Sequence, residues 1–354
     1  MSKLYRLRLS IALVAIVAAT AAHQGSAEKK KQDKFTPGER VLWRDPKDVA
    51  SLDFQYGIGG SERQPLPPFR FVSEDLSGTT PKVNITDGRG AKWNLKWGHE
   101  VLPSTFCTRL AWACGYVAEP EYFVRWGHID GVRGLTRAKS RISSDGSFEN
   151  ARFQLRSDFT KYLKTYRWKW KDNPFLGTHE LQGLKLLTLL VSNMDAKNVN
   201  LGVFEDDSTG EPSYLYGIID WGGSLGKWGN VITRTIRDCE GFAKQTPKFV
   251  RGVKDGRLTW RFEGKHATLL TDDITMADVE WLLQYLGKIT DEQIRVGLSA
   301  SGATPEETEC YARALRQRIE QLQEASAFPL NRSVISRKHA KVAEATDFFG
   351  SLRE

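Results

Sequence analysis

The chain has 354 residues, of which 40% are hydrophobic and 27% charged, so it is an ordinary globular protein long enough for one large core or two lobes. Its four cysteines are too few for a disulfide scaffold, and no cysteine and histidine spacing indicates a zinc site. The net charge of +8 favours anionic partners such as nucleotides, phosphates or acidic polymers, but it does not indicate specific nucleic-acid binding.

Residues 1–27 are typical of a secretory signal. Basic residues precede an apolar run, Ile11–Ala22, that is too short to span a membrane comfortably. We expect cleavage after Ala22 or Ala27, and therefore a periplasmic or secreted protein without a membrane span. Residues 28–69 are predicted to form an extension that wraps around the folded domain.

Three β-strands are predicted next, over Phe69–Glu74, Pro81–Thr86 and Ala91–Trp97. Lys96 alternates with apolar residues in the third strand, and a lysine in a half-buried strand needs an anion. Either a nucleotide phosphate or a structural carboxylate would serve. A helix is then predicted from Pro103 to Gly115, followed by a strand over Tyr116–Trp126.

The connection between the first two strands combines small, polar and basic residues. It contains Ser77, Gly78, Thr79 and Lys82. The backbone N–H groups, the two hydroxyls and the lysine could cradle phosphates, and an ordinary Ser-Gly turn is the structural alternative.

The clearest pattern is a helix, a short polar loop and a hairpin. Leucines at helical spacing predict a helix over Thr178–Ser192, and the hairpin strands are predicted over Val199–Glu205 and Tyr214–Asp220. The loop ends of this unit carry Asp195, Asn200 and Asp220. One carboxylate can accept a hydroxyl proton, while an amide oxygen and a second carboxylate can hold Mg²⁺ against phosphates. The structural alternative is a helix end, an Asx turn and a strand cap.

This order of elements resembles the atypical members of the protein-kinase-like superfamily: HipA-type kinases, phosphoinositide kinases and secreted Golgi-type kinases. Those proteins use an Asp-x4-Asn loop, which Asp195 and Asn200 match. Asp220-Trp221-Gly222 stands where their metal-binding aspartate stands. The segment that ends at Lys82 resembles the nucleotide loop of HipA-type kinases.

The resemblance extends to the strand that carries Lys96, which looks like the strand of the nucleotide-binding lysine. In protein kinases the following helix carries a glutamate that pairs with this lysine. No acid lies between Pro103 and Gly115, and Glu100, just before the helix, is the nearest candidate.

The resemblance implies an α+β, two-lobed kinase-like fold. A small β-rich N-lobe would cover residues 70–127, a larger helical C-lobe residues 128–325, and a tail residues 326–354. The function implied is that of a secreted phosphotransferase that moves the γ-phosphate of ATP to a hydroxyl acceptor with the help of Mg²⁺.

The same resemblance implies a role for each site residue. Lys96 would hold the α- and β-phosphates, and Asp195 would act as the general base or position the acceptor hydroxyl. Asn200 and Asp220 would bind Mg²⁺. The other nucleotide-binding residues would be Ser77, Gly78, Thr79, Lys82 and Glu100.

Two other functions remain open. The missing helix acid, and a location where ATP is scarce, favour a catalytically inactive kinase-fold binding protein. Gly222–Gly226 also matches the Gly-x-Ser-x-Gly pattern of serine hydrolases, with Ser224, Asp238 and His266 in the required order. That pattern needs a helix directly after the serine, and the residues that follow are poor helix formers, so the hydrolase is a minor alternative.

The remaining segments are predicted to complete a helical region. A helix is expected around Ser157–Trp168, within a polar stretch whose aromatic residues we assign to the core rather than to glycan or nucleic-acid binding. Three further helices are predicted over Thr275–Leu286, Asp291–Ala300 and Pro305–Ala325. Cys107 and Cys114 are too far apart on one helix to bridge, whereas Cys239 and Cys310 could pair.

Overall fold

The computed structural model describes residues 38–156, 160–208, 210–260 and 267–350, with the side chains of the last helix described up to residue 327. The expected signal segment and His266 lie outside these residues. The strands are β1 Glu39–Val41, β2 Phe69–Glu74, β3 Lys82–Thr86, β4 Lys92–Lys96, β5 Glu121–Asp130, β6 Ser147–Arg156, β7 Thr160–Tyr162, β8 Leu201–Asp206, β9 Ser213–Ile218, β10 Val250–Lys254 and β11 Arg257–Trp260. The α-helices are α1 Val101–Ala113, α2 His179–Leu190, α3 Cys239–Gln245, α4 Ala267–Leu270, α5 Met276–Leu286, α6 Asp291–Ala300 and α7 Pro305–Gly350.

Five strands form a closed barrel in the order β2-β3-β4-β6-β5. Antiparallel pairs make up most of it, and the parallel pair β2–β5 closes it. Side chains on neighbouring positions of a strand point to opposite faces, so alternate residues fill the barrel core. The core includes Val83, Ile85, Trp93, Leu95 and Phe153.

The barrel confirms the first three predicted strands but extends further along the chain than expected. The fourth predicted strand begins at Glu121 instead of Tyr116, because Pro120 has no N–H to donate to a ladder. The strand β6 was not predicted. Since it pairs with both β4 and β5, the expected boundary between residues 127 and 128 falls inside the barrel, which ends at Arg156.

A second sheet follows the barrel in the order β1-β9-β8-β7. The predicted hairpin is confirmed as β8 and β9, and β1 from the N-terminal extension lies parallel to β9. The helix expected around Ser157–Trp168 is wrong from Thr160 onward. That segment instead adds β7 to the edge of β8, where Tyr162 stacks on Phe204 with ring centroids 5.2 Å apart.

The helices that follow begin at clear caps. The Thr178 hydroxyl accepts a hydrogen bond from the backbone N–H of Leu181 and so starts α2. Thr275 and Thr290 start α5 and α6 with capping boxes. Within the described residues, each helix is too short or too polar to cross a bilayer.

A disulfide between Cys239 and Cys310 joins α3 to α7, while Cys107 and Cys114 are free and buried. The pairing of Cys239 with Cys310, which the sequence left open, is therefore formed.

Candidate active site

Lys96 is the last residue of β4 and meets two carboxylates. Its side chain is only 9% exposed, because β4 lies between β3 and β6. The ammonium group is in contact with the carboxylate of Glu100 and lies 3.9 Å from Oδ2 of Asp220. A lysine buried to this extent needs such partners, since burial of an unpaired charge is costly.

Glu100 stands directly before α1, where it also accepts a hydrogen bond of 3.2 Å from the hydroxyl of Thr80. The acid that pairs with the lysine therefore comes from the residue before the helix, four positions after Lys96, and not from within the helix.

The loop after α2 and the segment after β9 are held together by hydrogen bonds. The Asn193 side chain accepts from the N–H of Asp195 at 3.1 Å and donates to the carbonyl of Asp220 at 3.2 Å. The Met194 N–H donates to the Gly223 carbonyl at 3.2 Å. Two candidate site residues 25 positions apart in the chain are therefore fixed relative to each other through a buried asparagine that sequence reasoning missed.

Asp195 is surrounded by donors. The amide nitrogen of Asn200 donates to its carboxylate at 2.9 Å and to its backbone carbonyl at 2.8 Å, and Lys197 forms an ion pair with it at 2.8 Å. Burial raises the pKa of Asp195, but the hydrogen bond and charge of Lys197, the hydrogen bond of Asn200 and the charge of Arg234 outweigh burial and lower it overall. The carboxylate is therefore charged and oriented at neutral pH.

Two cavities meet at Asp220. The smaller, of about 320 Å³, is lined by the side chains of Glu100, Asp195, Lys197, Asp220 and Arg234, together with Met194, Gly223, Thr235 and Ile236. The larger, of about 780 Å³, lies against the barrel and contains both Lys96 and Asp220 in its lining. Asp220 is thus placed to contact occupants of both cavities.

The wall of the larger cavity follows from strand alternation. While the odd-numbered residues of β3 and β4 enter the barrel core, several even-numbered residues of these strands, and those of β6 from Arg152 onward, face the cavity. These are Lys82, Asn84, Asn94, Lys96, Arg152, Gln154 and Arg156. The wall is therefore polar and mostly basic, which suits an anionic ligand.

The loop between β2 and β3 covers this cavity. The Lys82 ammonium donates to the Ser77 hydroxyl at 2.9 Å, and Gly78 has a left-handed backbone with φ of 64°. Ser77 and Lys82 line the cavity, whereas Gly78 and Thr79 are exposed and do not line it. The loop is braced from outside by Arg137, which donates to the carbonyls of Gly78 and Leu76.

Glu119 and Gln154 form a polar end to the larger cavity that the sequence did not reveal. Gln154 donates to the Glu119 carboxylate at 2.7 Å, and Arg156 lies 3.7 Å from it. Burial raises the pKa of Glu119 to about 7, with a smaller contribution in the same direction from Glu121 and opposing ones from the arginines. A carboxyl group that titrates near neutrality therefore lines the cavity.

The serine hydrolase alternative does not fit the geometry. The side chain of Ser224 is fully buried, and no helix follows it directly. The carboxylate of Asp238 caps α3 by accepting from the N–H of Gly241 at 2.9 Å. Ser224 therefore has no access to a substrate, and the Asp238 carboxylate serves as a helix cap.

Three solved structures similar to this chain are all kinases. The Helicobacter pylori proinflammatory kinase CtkA is 9% identical, with a TM-score of 0.45, over 75% of this chain and 99% of its own. The Golgi casein kinase with Mn and ADP bound is 11% identical, with a TM-score of 0.32, over 74% and 73%. A second structure of the Golgi casein kinase is 11% identical, with a TM-score of 0.31, over 78% and 77%. No family model and no curated sequence matches the chain. All three likenesses are remote.

Proposed function

We propose that this protein is a phosphotransferase that moves the γ-phosphate of ATP to a hydroxyl acceptor. The observation that carries the proposal is the contact of Lys96 with Glu100 and Asp220, two carboxylates that line the smaller cavity together with Asp195. A cation for phosphate oxygens, a carboxylate for a metal ion and an oriented base are the parts that phosphoryl transfer requires. The barrel would form the small lobe of a two-lobed kinase-like fold, and the region from β7 onward the large lobe.

ATP would occupy the larger cavity, because its strand wall carries four cations beside the carboxylates of the lining and its volume of about 780 Å³ suits a nucleotide. Lys96 would neutralise phosphate charge, and Ser77 and Lys82 would contribute from the loop above. Gly78 and Thr79 would contribute through their backbone N–H groups, since neither side chain lines the cavity.

The acceptor hydroxyl would lie in the smaller cavity beside Asp195. The hydroxyl oxygen would form a bond to the γ-phosphorus as the bond to the bridging oxygen of ADP breaks, and the hydroxyl proton would pass to the Asp195 carboxylate. Lys197, which sequence reasoning missed, would orient this carboxylate and add positive charge near the transferred group.

Asn200 and Asp220 fit a magnesium site by the chemistry of their donors, which are amide and carboxylate oxygens. The amide nitrogen of Asn200 is used by Asp195, which leaves its oxygen for a cation. Among the described residues no three His, Cys, Asp or Glu side chains form a metal site. Mg²⁺ is usually bound by one or two carboxylates together with substrate phosphates. When bound, Mg²⁺ would supply positive charge at the β- and γ-phosphate oxygens.

The contact between Lys96 and Glu100 favours an active enzyme over an inactive kinase fold, because it supplies the ion pair that α1 itself lacks. The segment 1–27 supports a location outside the cytoplasm, where the enzyme would meet ATP only in particular settings.

The test is the thermal unfolding of the purified protein with ATP, with and without Mg²⁺, together with a direct assay of ATP consumption. We expect ATP to raise the melting temperature, Mg²⁺ to increase the rise, and Asp220→Ala to remove the part that depends on Mg²⁺. Asp207→Ala, in the turn between β8 and β9, serves as the control. Absence of both a shift and ATP consumption in the wild type would contradict the enzyme.

A further inference from the structure

A third cavity belongs to neither part of the proposed active site. It has a volume of about 900 Å³ and lies between the outer side of β5 and β6, the start of α1 and the loop before α7. We call it the basic cavity after the three cations on its rim, Arg125, Lys139 and Arg141. Within the described residues none of these side chains forms an ion pair or a hydrogen bond, and the Arg125 guanidinium lies 5.9 Å from the centre of the Phe123 ring.

The charge around the basic cavity is strongly unbalanced. Glu149 is the one acidic residue in its described lining. Arg237, the fourth cation of the lining, is already neutralised by two hydrogen bonds of 2.9 Å to the Glu307 carboxylate. An excess of positive charge around one cavity favours an anionic occupant.

The floor of the basic cavity is apolar. It includes Trp97, Phe123 and Phe148, of which Trp97 and Phe148 are almost fully buried. Trp126 continues this surface to the outside, with 76% of its area exposed. A tryptophan exposed to this extent at the edge of a cavity is typical of an interaction surface.

We propose that the basic cavity binds an acidic peptide segment of a partner protein, with an aromatic or aliphatic side chain on the floor and carboxylates on the rim. A free phosphate would pair with one cation and leave the apolar floor uncovered. A peptide can contact the floor and the cations of the rim at the same time. Arg125 belongs to β5, and Lys139 and Arg141 belong to the connection between β5 and β6. The cations therefore stand on separate parts of the rim, which matches acidic side chains spaced along a chain.

The occupant would lie next to the catalytic machinery without entering it. Val101, the first residue of α1, lines the basic cavity, and Glu100 directly precedes it. The proposal nevertheless does not depend on phosphoryl transfer, since its test measures peptide binding in the absence of nucleotide.

The experiment uses a fluorescein-labelled, glutamate-rich peptide with one central phenylalanine and measures fluorescence anisotropy at low and at physiological salt. The variants are the double charge reversal R125E/R141E and a matched control, R70E/R251E, which changes net charge equally at exposed positions on β2 and β10. We expect the cavity variant to weaken binding by about tenfold or more and the control to bind like wild type.

Two altered peptides separate the contribution of the carboxylates from that of the phenylalanine. Glutamine in place of glutamate should abolish binding, and serine in place of phenylalanine should weaken it. Equal losses in both double variants would overturn the proposal, because they would indicate diffuse charge attraction. Failure of the peptide to bind, or binding of anionic lipid vesicles alone, would also overturn it.

Discussion

At the scale of single residues, Asp195 is the group on which the proposed chemistry depends most. Asp195→Asn removes the proton acceptor but retains an oxygen for Asn200 and Lys197, so we expect phosphoryl transfer to fall about 10²–10⁴-fold. ATP should still raise the melting temperature, because Asp195 lies outside the lining of the larger cavity.

Asp207→Asn is the matched control, since Asp207 is an exposed aspartate of the hairpin turn. The assay is transfer of labelled γ-phosphate to an acceptor or to water. If Asp195→Asn retains full turnover, the carboxylate is not the base.

Glu119 gives the larger cavity a dependence on pH. Its pKa is raised by burial to about 7, so the carboxyl group is neutral at lower pH and becomes charged as the pH rises through that value. Negative charge in the cavity should then weaken nucleotide binding, and Glu119→Gln should bind more tightly than wild type above about pH 7 and equally well below it.

The free energy of unfolding should also decrease as Glu119 becomes charged. Because the folded-state pKa lies above the ordinary value of 4.5, the wild type should lose free energy of unfolding relative to Glu119→Gln as the pH rises from 4.5 through about 7. Titration calorimetry and urea unfolding over this range measure the two effects. Glu149→Gln, on the outer side of the barrel, should show neither, and a pH dependence unchanged in Glu119→Gln would refute the assignment.

At the scale of elements, Arg318 of α7 fixes the start of the loop that carries Asp195. Its guanidinium is fully buried, donates to the Leu190 carbonyl at 2.7 Å and to the Ser192 hydroxyl at 2.8 Å, and lies over the Phe242 ring at 3.6 Å. Burial lowers the pKa of Arg318 to about 9, so it stays charged at neutral pH.

Arg318→Met should lower the free energy of unfolding by about 2–4 kcal/mol, because it leaves buried acceptors without donors. Turnover should fall as well, since the loop loses its anchor. Arg313→Met, at an exposed position on the same helix, is the control and should change stability little. Urea unfolding decides the matter: equal stability of the two variants would mean that Arg318 is not an anchor.

At the scale of the whole molecule, the disulfide between Cys239 and Cys310 ties the segment after Asp220 to the last helix across 71 residues. Replacing both cysteines with alanine should lower the free energy of unfolding by about 2–4 kcal/mol. A reducing agent should destabilise the wild type by a similar amount and leave the double variant unchanged. A wild-type melting temperature that does not respond to reduction would count against the disulfide.

Sequence patterns predicted the parts of the molecule that depend on near neighbours. The alternation around Lys96 predicted β4, and the Thr178 cap with regularly spaced leucines predicted α2. The loop ends that carry Asp195, Asn200 and Asp220 followed from the same elements. Their order in the chain predicted one shared site, and of the three residues Asp195 and Asp220 line the same cavity.

What the sequence could not predict depends on distant contacts. β6 alternates apolar residues with Arg152, Gln154 and Arg156, but the many polar residues around it hid a strand that sits between two others. Asn193 and Arg318 act only through partners that folding brings to them. Lys197 was visible two positions after Asp195, yet nothing local distinguished it from a solvated lysine.

The anchoring of the Asp195 loop by Arg318 also has a consequence for biosynthesis. The arginine is translated 128 positions after Leu190, whose carbonyl it binds. A ribosome that has completed both halves of the hairpin therefore still carries a chain whose loop lacks its final donor. The nascent chain therefore cannot anchor the loop that carries Asp195 until its last helix has left the exit tunnel.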